Sequence, residues 1–200
     1  MARYLTIPAP AQAQIREKMS RFIAFAHPVD TVEGARDVIA RYTNEYHDAR
    51  HVCWAYMLGA DRATWQLNDN GEPSGTAGKP ILGQINSLGL TDVVVVVVRY
   101  FGGIKLGTPG LIQAYRTAAR EALEAAGSVE RSEMTRLRVT FPYMAMNDVM
   151  KAVKRPDVTL SDQSYDNLCQ MTLTLPLDMA GEMTRRLAAA GAQTDSSKLE

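Results

Sequence analysis

Apolar and polar positions alternate along this chain in two distinct rhythms. Over Ser20–His27, Phe22 and Ala24 share one face and Ile23 and Phe25 the other, the period of a strand. Val32, Ala35, Ile39, Tyr42 and Tyr46 then recur at helical spacing, which predicts a helix over 31–46. Asp30-Thr-Val-Glu33 marks its start, a side-chain cap followed by an acid three positions on. Strands are predicted at 52–58 and 64–67. A polar, glycine-rich segment, 68–79, follows, and Pro80 opens a short helix running to Leu88. Val93–Val98 is six valines in succession, a strand with no polar side and so buried on both faces. A second glycine-rich loop, 102–110, leads into a long helix over 110–126 that ends at Gly127.

Beyond about residue 130 the order is strand 134–141, helix 144–154 stopped by Pro156, strands 158–165 and 168–175 turned by Asp166-Asn167, helix 178–190 ending at Gly191, and a last short strand. That is a ferredoxin-like βαββαβ order. The chain is therefore read as an α+β protein of two domains, 1–130 and 131–200.

Composition narrows the function. The 200 residues carry 22 basic and 22 acidic side chains, balanced 13 to 13 over 1–130 and 9 to 9 over 131–200. A globally basic nucleic-acid binder is excluded, so any anion site must be local. With 46% hydrophobic residues the chain is not intrinsically disordered. Cys53 and Cys169 make no secreted disulfide framework. Met1 to Pro8 contains no apolar signal segment, and the longest purely apolar run is far below the roughly 20 residues that span a bilayer. A cytoplasmic protein with no membrane partner is expected.

The first loop fails as a nucleoside-triphosphate cradle. Position 73 is proline where the pattern needs glycine, and Pro80 stands where a hydroxyl would hold Mg²⁺. What remains is a run of amides from Gly75, Thr76 and Gly78 ahead of a helix, with Ser74 and Lys79 beside them, suited to a phosphate or carboxylate. Asp69 and Glu72 oppose a purely anionic ligand unless they point away or hold basic neighbours; in a purely structural role they cap backbone groups. The second loop, beyond the central strand, brings Arg99, Lys105, Gly102 and Gly103. Tyr100 and Phe101 are expected to complete the core, although basic and aromatic residues together also suit single-stranded RNA. Arg21 is expected on the exposed face of an early strand.

Two enzyme arrangements are open beside a binding role. His51 and Cys53 fall on one side of a strand and form a base and nucleophile on paper, and Asp69 with Glu72 is a carboxylate pair. The prevailing expectation for Cys53 is a small buried hydrophobe. His47, His51 and Cys53 lack a fourth ligand for zinc, so neither a metal nor a cofactor is expected.

Taken together, Lys18-x-Ser-Arg-Phe22, Asp48-Ala-Arg-His-x-Cys-Trp-Ala55, Asp69-x-Gly-Glu-Pro-Ser-Gly-Thr-Ala-Gly-Lys-Pro80 and Val96-Val-Val-Arg-Tyr-Phe-Gly-Gly-Ile-Lys-Leu-Gly107 resemble the IMPACT family, in its bacterial YigZ branch. The resemblance covers essentially the whole chain. It implies a left-handed βαβ first domain, like a ribosomal small-subunit protein and domain IV of elongation factor G, and a second domain like domain V of that factor. It implies contact with RNA or the ribosome in translation or its regulation, and carries no catalytic residues. The partner of the eukaryotic relatives is bound through a further domain that this chain does not carry over. Two positions depart from the family pattern: Asn70 replaces an acid after Asp69, and Pro109, which has no amide, replaces a glycine. The expected binding residues are Arg21, Arg50, His51, Ser74, Gly75, Thr76, Gly78, Lys79, Arg99, Gly102, Gly103 and Lys105, around two converging loops. A protein-interaction module is the remaining alternative, and the oligomeric state is left open.

Overall fold

A computed structural model of the chain describes residues 3–197. Met1 and Ala2, the start of the segment read for targeting, lie outside the described residues. Two compact units are present, Tyr4–Arg131 and, in the main, the chain from Ser132 onward.

The first unit is built around the valine run. Strands β1 (Arg3–Thr6), β2 (Ala11–Glu17) and β3 (Ser20–Pro28) are followed by α1 (Val32–Glu45), β4 (His51–Leu58), β5 (Thr64–Asn68), α2 (Gly78–Ser87), β6 (Val93–Tyr100), α3 (Gly107–Ala126) and β7 (Val129–Ser132). Five strands form one sheet in the order β2-β3-β6-β4-β5, every neighbouring pair antiparallel. β6 lies at the centre, and all six valines are fully buried. Val93, Val95 and Val97 meet α2 and α3, together with Ala24, Cys53 and Ala55. Val94, Val96 and Val98 meet α1, together with Phe25, Val52 and Tyr56. Each such valine contributes about 1.5–3 kcal/mol of burial, which is why a run without a polar face settles in a middle layer.

Several boundaries move for local reasons. Thr31, not Asp30, caps α1, its hydroxyl accepting the Gly34 amide at 3.0 Å. Helix α2 starts at Gly78, two residues before Pro80. Helix α3 starts at Gly107, and Pro109 sits in its first turn, where a missing amide breaks no helical hydrogen bond. β1 and β7, which the hydrophobic rhythm does not announce, pair with each other in a separate two-stranded sheet. β2 alternates Ala11, Ala13 and Ile15, half-buried, with exposed Gln12, Gln14 and Arg16. It turns into β3 through Lys18 and Met19, both at positive φ (42° and 67°). Gly102 packs directly on that turn: a Cβ there would stand 2.1 Å from the Met19 carbonyl, so no larger residue fits.

The second unit contains β8 (Met134–Pro142), α4 (Met146–Val153), β9 (Thr159–Tyr165), β10 (Leu168–Pro176), α5 (Ala180–Ala189) and β11 (Gln193–Ser197). Its sheet order is β11-β8-β10-β9, antiparallel throughout, the split βαβ arrangement. Leu137, Val139 and Phe141 of β8 face inward onto Val149, Val153, Met183 and Leu187, while Arg136 and Arg138 face out. Each helix is preceded by a single 3₁₀ turn after a proline, Pro142 and Pro176. Among the described residues no helix is long and apolar enough to cross a membrane.

Candidate functional site

The strand that carries the valines ends in Arg99, one step further along the face shared by Val93, Val95 and Val97. A guanidinium so placed is buried, with only 5% of the residue exposed, and needs a partner. Glu72 supplies it. Arg99 Nη1 donates to Glu72 Oε1 at 2.6 Å, and Tyr115 Oη of α3 donates to the same oxygen at 2.8 Å. Arg99 Nη2 reaches Ser20 Oγ at 3.4 Å, while Arg99 Nε is buried and has no hydrogen-bond partner.

The first loop delivers Glu72 by a tight reversal. Asn70 and Gly71 both take positive φ (41° and 81°), the Asn70 amide donates to Asn68 Oδ1 at 2.7 Å, and Asn70 Nδ2 donates to the Val52 carbonyl at 3.0 Å. The Asn70 carbonyl, an acceptor only, lies 2.7 Å from His51 Nδ1, so Nδ1 is the donor of this bond. His51 Nε2 then faces Glu72 Oε2 at 3.7 Å.

Asp69 changes the expected chemistry of the loop. Its Oδ2 accepts the Gly75 amide at 2.9 Å, and its Oδ1 accepts the amides of Ala77 and Gly78 at 3.1 and 2.8 Å. Of the backbone donors offered by sequence to an outside anion, the Gly75 and Gly78 amides are thus held by the chain's own carboxylate, and the Thr76 amide donates to the Pro73 carbonyl at 3.1 Å. This is the capping role weighed for the acids. It also explains why α2 begins at Gly78.

The two glycine loops do meet. They enclose a cavity of about 440 Å³ lined by Arg50, His51, Arg99, Phe101, Lys105 and Thr108, with Glu72 and Pro73 on the first-loop side. The guanidinium of Arg50 and the ammonium of Lys105 form no ion pair or hydrogen bond among the described residues, and both side chains are exposed. Helix α3 opens at this cavity with no side-chain cap. Phe101 is 47% exposed at the site, which corrects its assignment to the core, whereas Tyr100 is half-buried, donates to Asp48 Oδ1 at 2.7 Å and lies under Arg21 at 4.6 Å. Arg21 is paired in register with Tyr100 and so lies on the sheet face opposite Arg99, outside the cavity.

The other expected residues divide by position. Gly75 and Lys79 line a different cleft of about 690 Å³ between α2 and α3, with Arg116. Ser74 is exposed, and Thr76 is buried with its hydroxyl donating to the Pro73 carbonyl at 2.5 Å. Gly78 packs on the Asn68 backbone, Gly102 on Met19, and Gly103 takes φ 91° on the surface. Tyr115 is the residue that sequence reasoning missed. Its signal is present, since Leu111, Ala114, Tyr115 and Ala118 fall on one helical face.

Neither enzyme arrangement is formed. Cys53 is fully buried, with Sγ 3.0 Å from the Asp69 carbonyl and 3.4 Å from Tyr115 Oη. Burial pushes its thiol from 9.0 up to about 12, against the smaller effect of the Tyr115 hydrogen bond. Burial likewise raises the Tyr115 hydroxyl, which stays a donor. The carboxylates of Asp69 and Glu72 are each engaged by different donors rather than by one another. Among the described residues no three His, Cys, Asp or Glu side chains come together to hold a metal. A thiol with a pKa near 12 has about a thousandfold less thiolate at pH 7 than one at 9. Alkylation of the native protein is expected to be slow at both buried cysteines and to become fast only on unfolding. Rapid labelling of native Cys53 overturns its placement as a core residue.

Residues 18–123 match the family model described as the Impact N-terminal domain. The chain is 33% identical over 190 residues to the IMPACT family member YigZ of Escherichia coli (strain K12), covering 94% of this chain and 93% of that protein. It is 35% identical to the IMPACT family member YvyE of Bacillus subtilis (strain 168), covering 81% and 75%. A crystal structure of a hypothetical protein superposes with a TM-score of 0.76 at 31% identity and covers 100% of both chains. The chain belongs to the IMPACT family.

Proposed function

We propose that this is a cytoplasmic RNA-binding protein acting in translation or its regulation, with the cavity between the glycine loops as its phosphate-binding centre. The observation that carries it is the convergence of Arg50 and Lys105, neither ion-paired, beside the buried Arg99 on a molecule of zero formal net charge. A local cationic cluster with an adjacent aromatic suits the backbone and bases of a single strand. The first loop also borders the neighbouring cleft, Pro73 lining one and Gly75 the other, so a strand leaving the cavity meets Lys79 and Arg116 next. The likeness to translation-factor domains that the family resemblance implies supports RNA or the ribosome as the context.

Affinity for single-stranded RNA should fall with salt. Replacing Arg50 and Lys105 together with alanine should weaken binding alike for all sequences. The slope of log K against log [salt] should drop by about 1.4, two contacts at about 0.7 each. Binding that ignores both salt and the double substitution sinks the proposal. Arg99 is unsuitable for this test because its loss unsettles the fold.

A further inference from the structure

We propose that the cavity takes a nucleoside phosphomonoester, that is, the terminal nucleotide of a strand or a free mononucleotide, rather than an internal stretch of backbone. This rests on the phosphate-binding reading above and specifies its ligand.

Charge is the first ground. Arg50, Arg99 and Lys105 face one carboxylate, that of Glu72, which leaves an excess of two positive charges around one small volume. A phosphomonoester carries about −1.5 to −2 at pH 7, whereas an internal phosphate carries one charge. The monoester matches the excess and the diester does not. Size is the second ground. About 440 Å³ lies at the lower end of the roughly 300–1,000 Å³ of small-ligand pockets, the scale of a single nucleotide.

The lining supplies the rest. Phe101 is about half exposed, with the Arg99 guanidinium carbon 5.6 Å from its ring centroid, so the ring is held from within and open to a base outside. His51 borders the cavity with its Nδ1 tied to the Asn70 carbonyl, which fixes the ring and leaves the Nε2 edge as the polar group beside Glu72. Arg99 Nε remains the one buried guanidinium nitrogen at the site without a partner. The uncapped start of α3 at Gly107 and Thr108 adds the favourable end of a helix dipole beside Lys105. No single one of these makes the site; they coincide on one cavity.

The test measures one short RNA sequence in four forms: 5′-phosphorylated, 3′-phosphorylated, hydroxyl at both ends, and closed into a circle. Adenosine 5′-monophosphate and adenosine serve as competitors. A terminal phosphate should tighten binding about tenfold over the hydroxyl-ended and circular forms, the scale of one charge-assisted contact. Lys105→Ala should erase that difference, and Phe101→Ala should weaken every phosphorylated form. If the monophosphate displaces RNA and adenosine does not, the free nucleotide is also a ligand. If only RNA ends bind, the source is a strand terminus. Both results support the phosphomonoester. Equal, salt-dependent binding of all four RNA forms overturns this inference and leaves RNA binding intact. Absence of binding by any RNA and by the monophosphate overturns both.

Discussion

Replacing Glu72 with alanine is expected to destabilise the first unit by about 3–5 kcal/mol, the usual cost of leaving a buried charge without its partner. The carboxylate accepts from Arg99 at 2.6 Å and from Tyr115 at 2.8 Å, and 3% of its side chain is exposed. Without it, the Arg99 guanidinium keeps only the long hydrogen bond to Ser20. Urea unfolding followed by tryptophan fluorescence reads this unit alone, since Trp54 and Trp65, the two tryptophans, sit in β4 and β5. The midpoint should fall with little change in slope. The double substitution of Glu72→Leu with Arg99→Met should recover part of the loss, because it removes both charges and keeps the volume but leaves the buried Tyr115 hydroxyl without its acceptor. A cost below about 1 kcal/mol for Glu72→Ala, the range of exposed pairs, contradicts a buried ion pair at this position.

Asp69→Ala should cost about 3 kcal/mol, more than a usual helix cap, because three amides lose one acceptor group. Gly75, Ala77 and Gly78 all donate to it, and the first turn of α2 has no other side-chain cap. Asp69→Asn should cost less. It keeps one carbonyl oxygen for Ala77 and Gly78 while turning an amide donor toward the Gly75 N–H. Hydrogen exchange at Ala77 and Gly78 is the local readout: both amides should lose protection in the alanine variant. The Asp69 carbonyl also lies against Cys53 Sγ, so the same variant should let the thiol react sooner. Unchanged exchange at Ala77 and Gly78 would falsify the capping role.

Much of the architecture is legible in residue order because it follows from local physics. Six valines in a row have no side to show to water, so a central strand with cover on both faces is the one arrangement that satisfies them. The alternation of Leu137, Val139 and Phe141 with Arg136 and Arg138 assigns one face of β8 to a core. The α+β class follows from the mixture of the two periods. β1, β2 and β7 are less legible. β1 and β7 are four residues each and pair with one another across the whole first unit, while β2, a hairpin partner of β3, is only half-buried and so has a weak apolar rhythm.

The site divides along the same line. That Arg50, His51, Arg99 and Lys105 cluster near glycine loops follows from their flanking motifs, and the structure brings these four to one cavity. Arg21 and Lys79 belong to other surfaces, because Arg21 lies with Tyr100 on the opposite face of the sheet from Arg99 and Lys79 lines the cleft between α2 and α3. Phe101 is an aromatic that local pattern assigns to the core and that the loop leaves half exposed.

Sequence by itself determined the family, the class of fold, the position of the two loops and the residue types available for an anion. Tertiary structure alone decided which acid answers which donor. Asp69 and Glu72 stand three residues apart with similar chemistry, yet one binds the amides that open α2 and the other binds an arginine from the centre of the sheet. The reason is that a buried donor takes the nearest acceptor the fold can bring to it, and nearness here is set by strands and helices dozens of residues away. At the cavity, Arg50 and Lys105 beside Phe101 are left without an ion pair among the described residues once those internal bonds form, and the proposed ligand rests on them.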